Sequence, residues 1–272
     1  MSDYIARRAE EALLYMARGF PVVTITGPRQ SGKTTLARRV FGDRPYVSLE
    51  DPDSREFATQ DPKSFLERYA DGAVFDEVQR VPELFSWFQG IADENAAKKR
   101  MGRFVLTGSQ QFGFGEGIAQ SLAGRAGGLR LLPFSLPELR EAGKNESDAD
   151  QVMYKGFYPP VHVRDVSTEH WYNAYIETYL ERDVRSMTSV QNLSAFQTFL
   201  RLVAGRNGQL VNLSSLGAAA GISHNTAKAW LSILQASFIV FLLPPFHKNY
   251  NKRLIKSPKL YFYDTGLICR LL

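Results

Sequence analysis

The stretch that decides the fold runs Phe20-Pro21-Val22-Val23-Thr24-Ile25-Thr26 and then Gly27-Pro28-Arg29-Gln30-Ser31-Gly32-Lys33-Thr34-Thr35. Its first half is a β-rich apolar run. Its second half fits the spacing G-x-x-x-x-G-K-[ST], just where a helical pattern, Thr34 to Val40, begins. A strand that breaks into a glycine turn and re-emerges as a helix makes an anion cradle: the glycines let backbone N–H groups turn inward around phosphate oxygens, and the helix adds the positive end of its dipole. Gly27 to Thr35 is therefore the expected phosphate-binding segment, with the Lys33 amine on the β- and γ-phosphates and the Thr34 hydroxyl on Mg²⁺. A merely structural glycine turn does not account for the Gly-Lys-Thr ending in this context.

A phosphate cradle serves kinases, GTPases and motors alike, so a second acidic motif has to decide. Ala73-Val74-Phe75-Asp76-Glu77 is an apolar strand ending in two acids. Asp76 is placed to hold Mg²⁺ through water, and Glu77 to orient and deprotonate a water attacking the γ-phosphate. Adjacent acids favour hydrolysis and disfavour a small-molecule kinase. A third run, Phe104 to Thr107, leads into Gly108-Ser109-Gln110, where a polar side chain can sense the γ-phosphate or the attacking water; Ser109 is the choice and Thr107 the reserve. Next, Ser121-Leu122-Ala123-Gly124-Arg125 ends in an arginine outside any amphipathic pattern. Supplied to a neighbouring subunit, Arg125 could be a finger that stabilises transition-state charge; it could equally be a local salt-bridge partner.

Helical and strand-like stretches alternate around these motifs: an amphipathic helix in the first 18 residues, strand Tyr46 to Leu49, helix Pro62 to Tyr69, helix Glu83 to Lys99, strand Leu129 to Leu132. The alternation predicts an α/β core, a parallel sheet covered by helices. After residue 137 the pattern changes to an acid-rich loop, Glu141 to Asp150, then an extended Gly156-Phe157-Tyr158-Pro159-Pro160, then a mainly helical stretch to 237. The expected division is a core over 1–150 and a helical domain over 151–272, with the boundary between 140 and 165. Leu210 to Leu243 reads as helix, turn at Gly221, helix capped by Ser223, and strand, the pattern of a winged helix. That second helix would present His224, Asn225, Thr226 and Lys228 where a recognition helix meets base edges or phosphates. The basic stretch His247 to Lys259, with Lys248, Lys252, Arg253 and Lys256, would follow as a wing lying on a phosphate backbone. Folds of this kind also serve as protein-docking or packing modules.

Charge points the same way. The net charge is +5, yet from Gly205 onward eight Lys and Arg face Asp264 alone, a balance of +7 that leaves −2 for everything before it. A near-neutral front and a basic tail fit two jobs, the second with a polyanion, or else a solvated basic surface. Hydrophobic residues make up 44% of the 272, enough to fill two cores and to exclude a disordered chain. The longest apolar run, Phe238 to Leu243, is far short of the roughly 20 residues that span a bilayer, and the N-terminus alternates charges where a signal peptide would be apolar, so no membrane partner is expected. Cys269 is the single cysteine and the four histidines lack H-x-x-x-H spacing, which excludes an internal disulfide and argues against a zinc site. The cytoplasm is the expected compartment.

The order of motifs, GPRQSGKTT, VFDEVQRVPELF, LTGSQQ, SLAGR, GFYPP, TYLERDVR and KLYFYDTGL, closely resembles the widespread prokaryotic AAA+ ATPases whose C-terminal part is known only as a domain of unknown function. The resemblance spans nearly the whole chain. It implies ATP as the nucleotide, an AAA+-type core, a helical and winged-helix region after it, and Arg125 at a position that the family usually fills with arginine. Two departures stand out. Pro160 stands where members with a GFYPP-like phrase commonly have arginine, so any role of that arginine lapses. Members also usually continue into a domain resembling restriction-endonuclease folds, whereas this chain ends at Leu271-Leu272, so the expectation is a truncated chain without nuclease activity. The functional expectation is Mg²⁺-dependent ATP hydrolysis by a homo-oligomer, coupled to DNA binding or remodelling. At the level of architecture this is similar to the motors that move Holliday junctions. The alternative is a slow nucleotide-gated switch whose winged helix binds a protein or an operator.

Overall fold

Successive strand positions in the first half of the chain are apolar because both faces of their sheet are covered. The computed structural model describes residues 4–109, 121–144, 146, 148–180, 192–246 and 256–272. They fall into two units, one of Ile5–Leu132 and one of Pro133–Leu272 with Tyr4. In the first, strands β1 (Val22–Thr26), β2 (Tyr46–Ser48), β3 (Ala73–Asp76), β4 (Phe104–Gly108) and β5 (Ala126–Arg130) form one sheet in the order β2-β3-β4-β1-β5, every pairing parallel. Alternate side chains go to opposite faces. Val22, Ala73, Phe75, Phe104 and Leu106 join a core with helices α3 (Pro52–Gln60), α4 (Pro62–Glu67) and α5 (Leu84–Ala97). Val23, Ile25, Val74 and Val105 join a second core with α1 (Ala9–Gly19) and α2 (Lys33–Val40). Thr26 pairs with Gly108, and Ser48 with Asp76, so the carboxyl ends of these strands border one crevice, the place where such sheets bind ligands.

Two features differ from the sequence reading. Helix α3 lies where the pattern gives none, although Asp51-Pro52 repeats the signal of Asp61-Pro62: each aspartate accepts from the N–H three residues on, Ser54 and Ser64, at 3.0 Å. Strand β5 begins at Ala126 instead of Leu129. Gly127 pairs with Val23 of β1, and it is glycine there because a Cβ would lie 2.8 Å from the Phe20 ring. The two compact units divide at Leu132/Pro133. The Leu131 N–H still bonds the Thr26 carbonyl at 2.7 Å, whereas the Phe134 N–H bonds Phe157 at 2.8 Å.

The second unit is mainly helical among its described residues: α6 (Leu136–Glu141), α7 (Ala149–Lys155), α8 (Pro160–Val163), α9 (Thr168–Tyr175), α10 (Leu193–Ala204), α11 (Leu213–Ala220), α12 (His224–Ala236) and α13 (Thr265–Leu271), with one antiparallel pair, β6 (Val240–Leu243) and β7 (Lys259–Phe262). The acid-rich stretch read as a loop is flanked by helix, because Ser135 and Glu138 form a reciprocal capping box that starts α6. Tyr158, Trp171, Tyr172, Phe196, Phe199 and Trp230 fill the core. After α10, Leu210 bridges Lys259 of β7. Then come α11, the left-handed Gly221 at φ 67°, and α12, whose cap Ser223 accepts from the Thr226 N–H at 3.1 Å. None of the described helices is long and apolar enough to cross a membrane.

Candidate active site

The loop after β1 is shaped by close approach. Gly27 has φ 153°, and a Cβ there would lie 2.0 Å from the Leu131 carbonyl oxygen, so no other residue passes. Gln30 (φ 63°) and Gly32 (φ 92°) take left-handed conformations, and Gly32 caps α2. The first amides of a helix have no intrahelical acceptor, and in α2 these include Thr34 and the exposed Thr35. Lys33 is 5% exposed and donates to the Gly27 and Pro28 carbonyls at 3.1 and 2.9 Å. A buried ammonium has to be paired, and the loop itself does it. Arg29 and Gln30 are half-buried, and Pro28 and Ser31 are buried. The Ser31 carbonyl accepts from Arg7 at 2.9 Å, and the same guanidinium donates to the Leu132 carbonyl at 2.6 Å. Arg7, which the sequence pattern does not single out, ties the loop to the chain leaving β5.

Asp76 ends β3 at 6% exposure with both oxygens occupied by hydroxyl donors. Thr107 at the end of β4 donates to Oδ1; Thr34 at 2.9 Å and Tyr46 at 2.6 Å donate to Oδ2. Burial, and then the bond to Asp76, pushes the Tyr46 phenol above its ordinary pKa, so it stays a donor. Tyr46 begins β2, and the sequence carries no local signal for it, because its place depends on β2 lying beside β3.

Glu77 takes a left-handed backbone, φ 54° and ψ 44°. For a residue with a Cβ this costs about 1–2 kcal/mol. The strain turns the chain into a single 3-10 turn, Val78–Arg80, closed by the Arg80 N–H on the Glu77 carbonyl at 3.0 Å. It also brings the Gln79 amide nitrogen onto Glu77 Oε2, where the Ser109 hydroxyl donates at 2.8 Å. The Glu77 N–H in turn reaches Thr107 Oγ1 at 3.4 Å. The structure thus brings Lys33, Thr34, Asp76, Glu77, Thr107 and Ser109 into a connected set around the phosphate loop. Arg125 is not among them: its guanidinium makes a two-pronged pair with Asp93 of α5, at 2.6 and 3.1 Å, on an exposed surface.

Residues 19–140 match the family description "AAA domain", and residues 146–272 match a domain of unknown function (DUF8612). The loop, the two acids and the strand order described above all lie within the residues that match the AAA domain, and the match to the domain of unknown function follows them. The chain is 32% identical over 256 residues to the uncharacterized protein Rv2008c of Mycobacterium tuberculosis and, to the same extent, to the uncharacterized protein Mb2031c of Mycobacterium bovis. Each alignment covers 93% of this chain and 56% of the relative, so the chain spans little more than half the length of these relatives. Among solved structures, the Walker-type ATPase PABY2304 of Pyrococcus abyssi matches with a TM-score of 0.63 over 99% of this chain and 96% of that one, at 16% identity, a likeness of fold.

In the second unit, His224, Asn225 and Lys228 are exposed at the start of α12, Thr226 is half-buried against its cap Ser223, and Lys256 is exposed ahead of β7. Lys248, Lys252 and Arg253 lie outside the described residues.

Proposed function

We propose that this chain hydrolyses ATP with Mg²⁺ at Gly27–Thr35 and couples turnover to DNA through its C-terminal unit. The observation that carries the reading is the pair Asp76 and Glu77: each carboxylate is already oriented by a hydroxyl from the end of β4, Thr107 on Asp76 and Ser109 on Glu77. Binding a nucleotide needs one acid at the metal; hydrolysis needs a second, aimed one. The donor set fits Mg²⁺, since Thr34 and Asp76 offer hard oxygens already within 2.9 Å of each other. Bound there, the metal would neutralise charge on the phosphates. Lys33 would exchange the Gly27 and Pro28 carbonyls for β- and γ-phosphate oxygens, and Glu77 would take the proton of the attacking water.

Arg125 sits on the surface with Asp93, where a residue serving a neighbouring copy has to sit, which supports a homo-oligomer with Arg125 acting in trans. This reading falls if Arg125→Ala leaves both turnover and its dependence on protein concentration unchanged. DNA coupling is supported by the order α10, Leu210 bridge, α11, Gly221, α12, β6, β7, which is that of a winged helix, and by the exposed His224, Asn225 and Lys228. The basic balance from Gly205 onward supports it too. The deciding experiment is steady-state phosphate release from ATP and Mg²⁺ with duplex, single-stranded or four-way-junction DNA, at two salt concentrations and beside Glu77→Gln. Salt-sensitive stimulation by one DNA form, lost in the variant, is the expected result. A slow rate that no DNA changes and Glu77→Gln abolishes would overturn the DNA coupling and leave the nucleotide-gated switch. No phosphate release under any condition would overturn the ATPase reading.

A further inference from the structure

Gln79 lies two residues past Glu77 on the turn that the left-handed Glu77 backbone creates. Its amide nitrogen is bound to Glu77 Oε2. The reverse orientation of the amide would set a carbonyl oxygen against a carboxylate, so the nitrogen belongs on that side. The other end of the amide, Oε1, is then buried with no hydrogen-bond partner among the described residues. A native structure rarely leaves a buried acceptor unmatched without a use for it. Ser31 Oγ, His162 Nδ1, Ser237 Oγ and Thr265 Oγ1 are buried in the same way, but of these five side chains Gln79 alone is bonded to Glu77 among the described residues. The two side chains therefore form one unit with two acceptors, a carboxylate and an amide oxygen, joined through the amide's own N–H.

An attacking water has two hydrogens, and a base removes one. We infer that Gln79 is a second catalytic residue, whose Oε1 accepts the hydrogen that Glu77 does not take. The water oxygen bonds to the γ-phosphorus as the bond to the bridging oxygen of ADP breaks. One proton passes to the Glu77 carboxylate; the other hydrogen stays on the new phosphate oxygen, held by Gln79 Oε1. With one acceptor the water can swing about a single hydrogen bond, and with two its lone pair is aimed. A glutamine amide orients the attacking water by the same chemistry in other P-loop hydrolases. Here it comes from the turn directly after the acid. The inference rests on Glu77 being the base.

The test uses the full chain with ATP and Mg²⁺, reading single-turnover phosphate release beside equilibrium binding of a fluorescent ATP analogue. Gln79→Leu and Gln79→Met keep the volume and remove both amide groups. Each should lower turnover on the order of 10²-fold while leaving KM and nucleotide affinity near wild type, which also shows that the variants fold. A crystal structure with ADP, Mg²⁺ and aluminium fluoride should place the in-line water within about 2.6–3.2 Å of both Gln79 Oε1 and a Glu77 oxygen. Undiminished turnover in both variants, or an in-line water bound by Glu77 alone, overturns the inference and leaves the proposed function standing. A wild-type protein that releases no phosphate sinks that function first.

Discussion

Each unit buries an aspartate, and the two are held in opposite ways. Asp76 accepts from the hydroxyls of Thr34, Thr107 and Tyr46, side-chain donors that can turn or leave. Asp264 accepts from the backbone N–H groups of Phe157 at 2.7 Å and Leu267 at 2.8 Å, and from the Tyr172 hydroxyl at 2.6 Å. Its surroundings are closed: a Cβ on Gly156 or Gly266 would lie 2.1 or 2.5 Å from the Tyr172 oxygen. Burial alone therefore does not mark a functional carboxylate. A group that must exchange partners for a metal or a phosphate is held by donors free to move; a group that pins three segments together is held by donors that cannot.

The largest effect should come from breaking the fixed one. Asp264→Ala leaves two amides unsatisfied, at about 1–3 kcal/mol each, while the Tyr172 phenol keeps the Lys155 carbonyl at 3.3 Å, so urea denaturation should show the second unit losing about 2 kcal/mol or more. Burial raises the Asp264 pKa above 3.8, so its ionised form is the penalised one. Its contribution to stability is thus complete below pH 3.8 and declines as pH rises through the raised value. Asp264→Asn should remove that decline, and an unchanged pH slope would contradict it.

A smaller effect on the fold, with a larger one on ligand, is expected at Asp76. Asp76→Asn keeps an acceptor for Thr34 or Tyr46, so the melting temperature should stay close to wild type. Binding of an ATP analogue should lose most of its dependence on Mg²⁺. A variant that unfolds like Asp264→Ala would erase the distinction between the two aspartates.

The phosphate loop and the acidic strand end are legible in the sequence because their chemistry lies in contiguous residues, each read from its neighbours. Ser109 and Thr107 are legible as a polar strand end, though which acid each would hold is not, since that depends on β4 lying between β1 and β3. Tyr46 and Arg7 are invisible for the same reason: one acts across β2 and β3, the other across 24 residues to Ser31. Gln79 sits inside a quoted motif, but its reach to Glu77 follows from a left-handed residue that no propensity predicts. Strand β5 starts before its leucine-rich run, Leu129 to Leu132, because Gly127 and Gly128 carry no side chains whose alternation could be read, and the Phe20 ring that requires glycine at 127 is distant in sequence.

The finest form of the comparison is one substitution made twice. Tyr172→Phe and Tyr46→Phe each delete a hydroxyl 2.6 Å from a buried aspartate and keep the ring. At Tyr172 a bond to a buried carboxylate is lost while the two amides remain, so stability should fall by about 1.5–3 kcal/mol with nucleotide binding unchanged. At Tyr46, Asp76 Oδ2 keeps only the Thr34 hydroxyl, and the carboxylate is freer to rotate. The Mg²⁺ concentration that half-saturates binding of an ATP analogue should rise several-fold, while affinity for the metal-free nucleotide and the melting temperature hold. Manganese titration followed by electron paramagnetic resonance reads the same shift without turnover. Equal losses of stability at both positions, with no change in metal affinity at Tyr46, would mean that the phenol on Asp76 is as structural as the phenol on Asp264.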